Sequence, residues 1–192
     1  MKYFGYRAIF FYCSCILLSS CMSGAWTGAN LIYNRHSLYL TFSDYELTTR
    51  TRHALFYDNY FTCSECHIDL AVFNGDILLA GHVETAEMRN EAYKRVMAES
   101  GYRRLFKEIS IDPIRTNIMK DSWITAKICS QIIADAEINP KAFKVVTSDQ
   151  IVYLMGDVMP AEANWVVSIA RNTSGVKRVV KLLKYFHLSD KN

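Results

Sequence analysis

Cys63-Ser64-Glu65-Cys66-His67 is the pentapeptide in this chain whose residue types and spacing come closest to chemistry. Two thiols three positions apart followed by an imidazole is the C-x-x-C-H spacing of c-type haem attachment. The thiols add to the haem vinyls and the histidine supplies an axial ligand. The same thiols can instead close a local disulfide in an oxidising compartment, stay free, or hold a metal. A redox-active pair normally begins a helix, whose dipole lowers the thiol pKa. This pair precedes a strand-like run, and a small sheet domain has little room to bury a haem. Met88, Met97 and His82 exist as sixth ligands, but none is singled out. A local disulfide or free thiols is therefore the expectation for Cys63 and Cys66, with haem ligation through His67 as the rival. Cys129 has no assignable partner. His36, His53, His67, His82 and His187 are otherwise scattered. No nucleophile elbow, phosphate loop or paired-carboxylate pattern occurs. The chain reads as a non-enzyme with no metal site.

The second chemical feature is Leu18-Ser19-Ser20-Cys21. Lys2 and Arg7 give the segment before it a positive start. Residues 8–18 are mostly apolar and too short to span a bilayer. This is a signal peptide over residues 1–20, and the tetrapeptide resembles the bacterial lipobox. That resemblance implies cleavage before Cys21 and a covalent lipid on its thiol and amino group, with no other cofactor. A single acyl chain binds marginally and several hold firmly, at about 0.8 kcal/mol per buried methylene. Met22 stands where inner-membrane retention usually places Asp. By that analogy the protein faces the periplasm from the outer membrane.

Behind the leader, 20 basic side chains meet 19 acidic ones. Near-neutrality gives no global field for nucleic acid. Residues 21–43 read as the lipidated end and a tether. Leu31-Ile32-Tyr33 and Leu38-Tyr39-Leu40 make it apolar enough to pack on the first domain or to form an extra element.

The elements that must position these groups are written twice. Leu47-Thr48-Thr49-Arg50 returns as Ile124-Thr125-Ala126-Lys127, Gly81 as Gly156, and Gly101-Tyr102-Arg103-Arg104-Leu105 as Gly175-Val176-Lys177-Arg178-Val179. A period of about 75 residues is domain-sized. In the second copy Asp121 or Ser122 can cap a helix. Ile124, Ile128, Ile132 and Ala136 form its apolar stripe. Asn139-Pro140 ends it, and two β-rich runs flank Ser148-Asp149-Gln150. The turn of the first copy, Asn74-Gly75-Asp76, is a stronger hairpin signal. Pro160 opens the next helix, Gly175 suits a left-handed cap, and a last strand comes after it. Each unit is αββαβ, an α+β fold with a three-stranded sheet and two helices on one face. The predicted divisions are 44–111 and 121–187 for the domains, 112–120 for a linker and 188–192 for a tail.

This element order, the shared glycines and the Gly-x-basic-basic-hydrophobic start of the last strand resemble the BON domain. Two such domains behind a lipobox look like the dual-BON-domain outer-membrane lipoproteins of Gram-negative bacteria. The resemblance implies phospholipid binding, support of outer-membrane integrity and no catalysis. Comparing the copies locates the lipid contact. Trp123 falls opposite the isoleucine stripe, beside Lys127 and Ser130, and Trp165 points away from Val166, Val167 and Ala170. Their first-copy equivalents, Glu46 and Asn90 or Glu91, are polar. An indole suits the headgroup boundary, and a lysine adds about 1 kcal/mol near an anionic surface. Arg171, Lys177, Arg178, Lys181 and Lys184 add charge, but on a strand they cannot share one face. The alternative is a scaffold that docks on an outer-membrane protein partner, such as the β-barrel assembly machinery, through Leu55-Phe56-Tyr57-Asp58-Asn59-Tyr60-Phe61. The sequence leaves the oligomeric state open.

Overall fold

Alternating apolar and polar residues build two three-stranded sheets, and the duplication fixes what covers them. A computed structural model describes residues 29–112 and 116–186. The expected signal peptide, Cys21 and the expected tail 188–192 lie outside these residues. Helix α1 (Ala29–Phe56) leads to β1 (His67–Phe73), β2 (Asp76–Val83), α2 (Ala86–Met97) and β3 (Arg104–Ile111). The second copy continues as α3 (Ile118–Ala134), a 3-10 turn (Pro140–Ala142), β4 (Phe143–Ser148), β5 (Ile151–Val158), α4 (Pro160–Asn172) and β6 (Arg178–Tyr185). In each sheet the middle strand pairs antiparallel with the strand before it and parallel with the strand after the helix, in orders β1-β2-β3 and β4-β5-β6. Residues from Tyr39 onward form one unit.

The middle strands are buried on both faces. Ile77, Leu79 and Val83 meet Leu47, Leu55, Ala92 and Val96 of α1 and α2. Val152, Leu154 and Val158 meet Ile124, Ile128, Ile132, Val166 and Ala170 of α3 and α4. The residues between them point the other way. Leu78 and Ala80 pack with Tyr153, Met155 and Leu182 in a third core between the sheets. The result is a four-layer helix–sheet–sheet–helix stack. The helices lie on one face of each sheet, as the sequence predicts, and the opposite face of each is filled by the other copy. Burial of this kind stabilises by roughly 25 cal/mol per Å² of apolar surface.

The repeated glycine is required by a close approach. A Cβ on Gly81 would overlap the His67 carbonyl, and one on Gly156 would meet the Ala142 carbonyl at 2.5 Å. The two hairpin turns solve one problem with different residues. Asn74 and Gly75 have φ of 49° and 77°, and Asp149 and Gln150 have 54° and 66°. Left-handed backbone costs a non-glycine residue roughly 1–2 kcal/mol. An aspartate in the preceding helix holds each turn. Asp44 accepts from the Asn74 and Gly75 N–H groups at 2.7 and 2.8 Å, and Asp121 from Asp149 and Gln150 at 2.9 Å each.

Element boundaries differ from the sequence expectation at several places. The tether expected over 21–43 is helical from Ala29, continuous with the first helix of the first domain. Helix α3 begins at Ile118, inside the expected linker, because Asn117 caps it by accepting from Lys120 N–H. Asp121 and Ser122 are therefore not caps, and the buried Asp121 is spent on the turn. The stripe stops at Ile132, since α3 ends at Ala134 and Ala136 is an exposed turn residue. The last strand starts at Arg178, three residues after Gly175.

Candidate functional site

Helix α3 carries only three charged residues, Lys120, Asp121 and Lys127. Ile124, Ile128 and Ile132 face the core and its single carboxylate faces the β4–β5 turn. The outer face is left without a free acid. Along it lie Met119, Trp123, Ala126, Ser130 and Ile133, all exposed. A helix rises 1.5 Å per residue, so this stripe runs about 20 Å. Trp123 is 52% exposed, and the Lys127 ammonium sits 4.9 Å above its ring. That cation–π contact is worth about 0.5–1 kcal/mol at an exposed site. It holds the charge beside the indole. Ser130 Oγ donates to the Lys127 carbonyl at 2.8 Å, closing its hydroxyl locally.

Trp165 lies on the outer face of α4 and is 48% exposed. Pro160 starts that helix at the position where its missing N–H costs nothing, and the Glu162 carboxylate accepts from Met159 N–H at 3.3 Å. Helices α3 and α4 touch each other on one sheet face. The basic residues after α4 divide. Val180 and Leu182 point to the sheet–sheet core and Val179 and Leu183 to the helices, so Lys181 and its neighbours Arg178 and Lys184 fall on opposite faces of β6.

The first copy builds a different surface on the same frame. Glu46 stands where Trp123 does, and Arg50 bridges Glu46 and Glu99 at 3.7 Å each. Its aromatics gather at the end of α1. Arg95 donates to Asp58, Glu91 and the Leu55 carbonyl, and lies over the rings of Tyr57, Tyr60 and Phe61 at 4.6–5.4 Å. Phe61 is buried, while Tyr57 and Tyr60 remain exposed.

The Cys63–Cys66 pair is joined as a disulfide in the loop before β1. Its sulfurs and the Glu84 carboxylate approach within 4.8 Å of one another. A disulfide sulfur is not the thiolate that ligates metals. The His67 ring is engaged by Asp69 at 3.1 Å. That hydrogen bond, opposed by burial and assisted by the charges of Asp69, Asp149 and Asp121, raises the imidazole above its ordinary value. His82, one of the three side chains weighed as a sixth haem ligand, is 1% exposed and bonded to Asp149 at 2.7 Å. Cys129 is a half-buried free thiol, and burial pushes its pKa up.

Of the residues predicted to meet lipid, Trp123, Lys127 and Ser130 share one exposed face, and Trp165 lies on the neighbouring helix. Met119, Ala126 and Ile133 complete the stripe. A helical wheel begun at Ile118 rather than at Asp121 places Met119 on it. Among the described residues no helix is long and apolar enough to cross a membrane.

The family model described as the BON domain matches residues 43–113 and 120–185. "Outer membrane lipoprotein DolP" of Haemophilus influenzae is 30% identical over 124 residues, 64% of each chain. The "21 kDa hemolysin" of Actinobacillus pleuropneumoniae is 32% identical over 123 residues, 63% of each. An uncharacterized protein of Anaplasma centrale is 29% identical over 124 residues, covering 62% of this chain and 82% of that one. The matches thus span a little under two thirds of the first two relatives.

Proposed function

The chain belongs to the BON domain family, and from that premise we propose that it is a periplasm-facing outer-membrane lipoprotein that binds anionic phospholipid through its second domain and supports outer-membrane integrity without catalysing a reaction. The observation that carries this reading is the acid-free outer face of α3. Trp123 there offers an apolar body with one N–H, suited to the headgroup boundary. Lys127, held beside it, and Lys120 supply the attraction to anionic headgroups. Cys21 would carry the covalent anchor, the only cofactor in this reading, and Trp165 would extend the contact from α4. The name of the Haemophilus relative supports the location.

The test is co-sedimentation of the purified full chain with vesicles of phosphatidylglycerol and phosphatidylcholine. Burying a large apolar side chain contributes about 1.5–3 kcal/mol, so Trp123→Glu should lower affinity by about 100-fold, charge repulsion included. Binding should weaken as salt rises. Trp123→Glu that sediments like the parent, with an unchanged far-UV spectrum, would overturn the reading.

A second reading, docking on an outer-membrane protein partner, is favoured by Tyr57 and Tyr60, which Arg95 holds in place and which stay exposed. Vesicle binding with no other protein present separates the two.

A further inference from the structure

Beside the apolar stripe of α3 runs a groove of about 440 Å³ between the two domains. One wall is the face of β1 that looks toward the second domain, with His67, Asp69 and Ala71. The other is β4 with Lys144 and Val146, and the rim is Ser122, Thr125 and Ala126 of α3. Ala126 belongs to both the stripe and the rim, so the groove opens beside Trp123.

The groove carries unlike charges at its two ends. At one, Asp69 is paired with His67 at 3.1 Å, and Asp121 also lines the groove. At the other, the Lys144 ammonium donates to the Val72 carbonyl at 3.1 Å. Among the described residues it has no carboxylate partner. Asp69 and Val72 are three residues apart on an extended strand, roughly 10 Å. That is about what an ammonium and a phosphate two carbons apart span once a charge-assisted hydrogen bond is added at each end.

We infer that this groove seats a zwitterionic phosphoethanolamine headgroup, its ammonium on Asp69 and its phosphate on Lys144, with the Ser122 and Thr125 hydroxyls alongside. The site is distinct from the Trp123 stripe. It reads headgroup chemistry, whereas the stripe reads the apolar boundary and the anionic surface.

The experiment uses soluble probes, so it does not depend on membrane insertion. Glycerophosphoethanolamine, glycerophosphoglycerol and inorganic phosphate are titrated into the ¹⁵N-labelled full chain. The expected result is that glycerophosphoethanolamine shifts amides of β1 and β4 at lower concentration than the other two. Asp69→Asn and Lys144→Gln should each weaken it by about tenfold, the loss of one charge-assisted bond. Ser122→Trp fills the groove from the exposed side of α3 without touching either charge and should block binding. Trp123→Glu should leave these shifts intact while it lowers vesicle affinity by about 100-fold, so the two proposals fail separately. Equal response to all three probes would reduce the site to an anion contact at Lys144 and overturn the inference. Absent shifts, or variants that bind like the parent, would overturn it as well.

Discussion

Replacing Asp121 with Ala tests how the second copy folds without the turn glycine of the first. Asp121 is 6% exposed and accepts two backbone N–H groups, at 2.9 Å each. Hydrogen bonds to a charged group contribute about 1.5–3 kcal/mol apiece. Burial opposes this. It raises the Asp121 carboxyl above its ordinary value against the two backbone bonds that lower it, so part of the gain is consumed in holding the charge. A net loss of about 2–3 kcal/mol is expected for Asp121→Ala. Asp44→Ala is the internal control. It breaks the same pair of bonds, but its turn contains Gly75, which is at ease at positive φ, and Asp44 is only half-buried. Its expected cost is about 1 kcal/mol. The sign of a third substitution comes from the same physics. Gln150 holds φ of 66°, so Gln150→Gly should stabilise by about 0.5–1 kcal/mol, the left-handed penalty less the entropy of the added glycine. Urea denaturation of the full chain at pH 7, followed by circular dichroism, measures all three. Equal losses from Asp121→Ala and Asp44→Ala, or a destabilising Gln150→Gly, would refute the account.

Acid should weaken the fold through Asp76. Desolvation pushes its carboxyl up, but Arg103 and Arg104 outweigh it and hold it below its ordinary 3.8. The stability that Asp76 contributes is therefore present above about pH 4 and lost as pH falls through the depressed folded value, and Asp76→Asn should flatten that part of the pH–stability curve. His67 shifts the other way, so its contribution is full below 6.5 and fades as pH rises through the raised folded value. An NMR titration should show Asp69→Asn returning the imidazole toward 6.5. Arg95→Ala removes the donor that Asp58, Glu91 and the Leu55 carbonyl share and should lower stability, read as a lower urea midpoint. Hydrogen exchange should quicken selectively over residues 55–61.

Both sheets and the helix faces were legible because period, glycine and stripe recur. Leu78 and Tyr153 were not assigned to a common core, because alternation alone marks a second face as apolar without saying what covers it. Asp121 looked like a cap because Asp is a good one, and only the positive-φ turn packed against it shows where its oxygens go. The groove was invisible for a related reason. Asp69 and Lys144 sit 75 residues apart in the chain and come to line one groove only through the packing of the two copies.

That packing explains why the copies diverged as they did. His82 of the first copy meets Asp149 in the turn of the second, and Asp157 of the second meets Asn74 in the turn of the first, at 3.3 Å. His82 and Asp157 are equivalent positions, as are Asn74 and Asp149, each pair 75 residues apart. This is the reciprocity of an isologous dimer, here within one chain. Two copies in one gene can differ where two copies of one gene cannot. Arg103 of the first copy bridges Asp76 and Asp157, fastening the interface from one side only. With both sheet faces consumed by each other, the surfaces free to meet a membrane are the helical layers and the open ends of the stack. The first helical layer keeps the charges of Glu46, Arg50, Glu91 and Lys94. In the second, Trp123 stands in place of Glu46 and Trp165 in place of Asn90 or Glu91, while Lys127 keeps the charge of Arg50. A solvated face has no physical need to lose its acids and gain an indole, and the proposed contact with anionic lipid would make use of both changes.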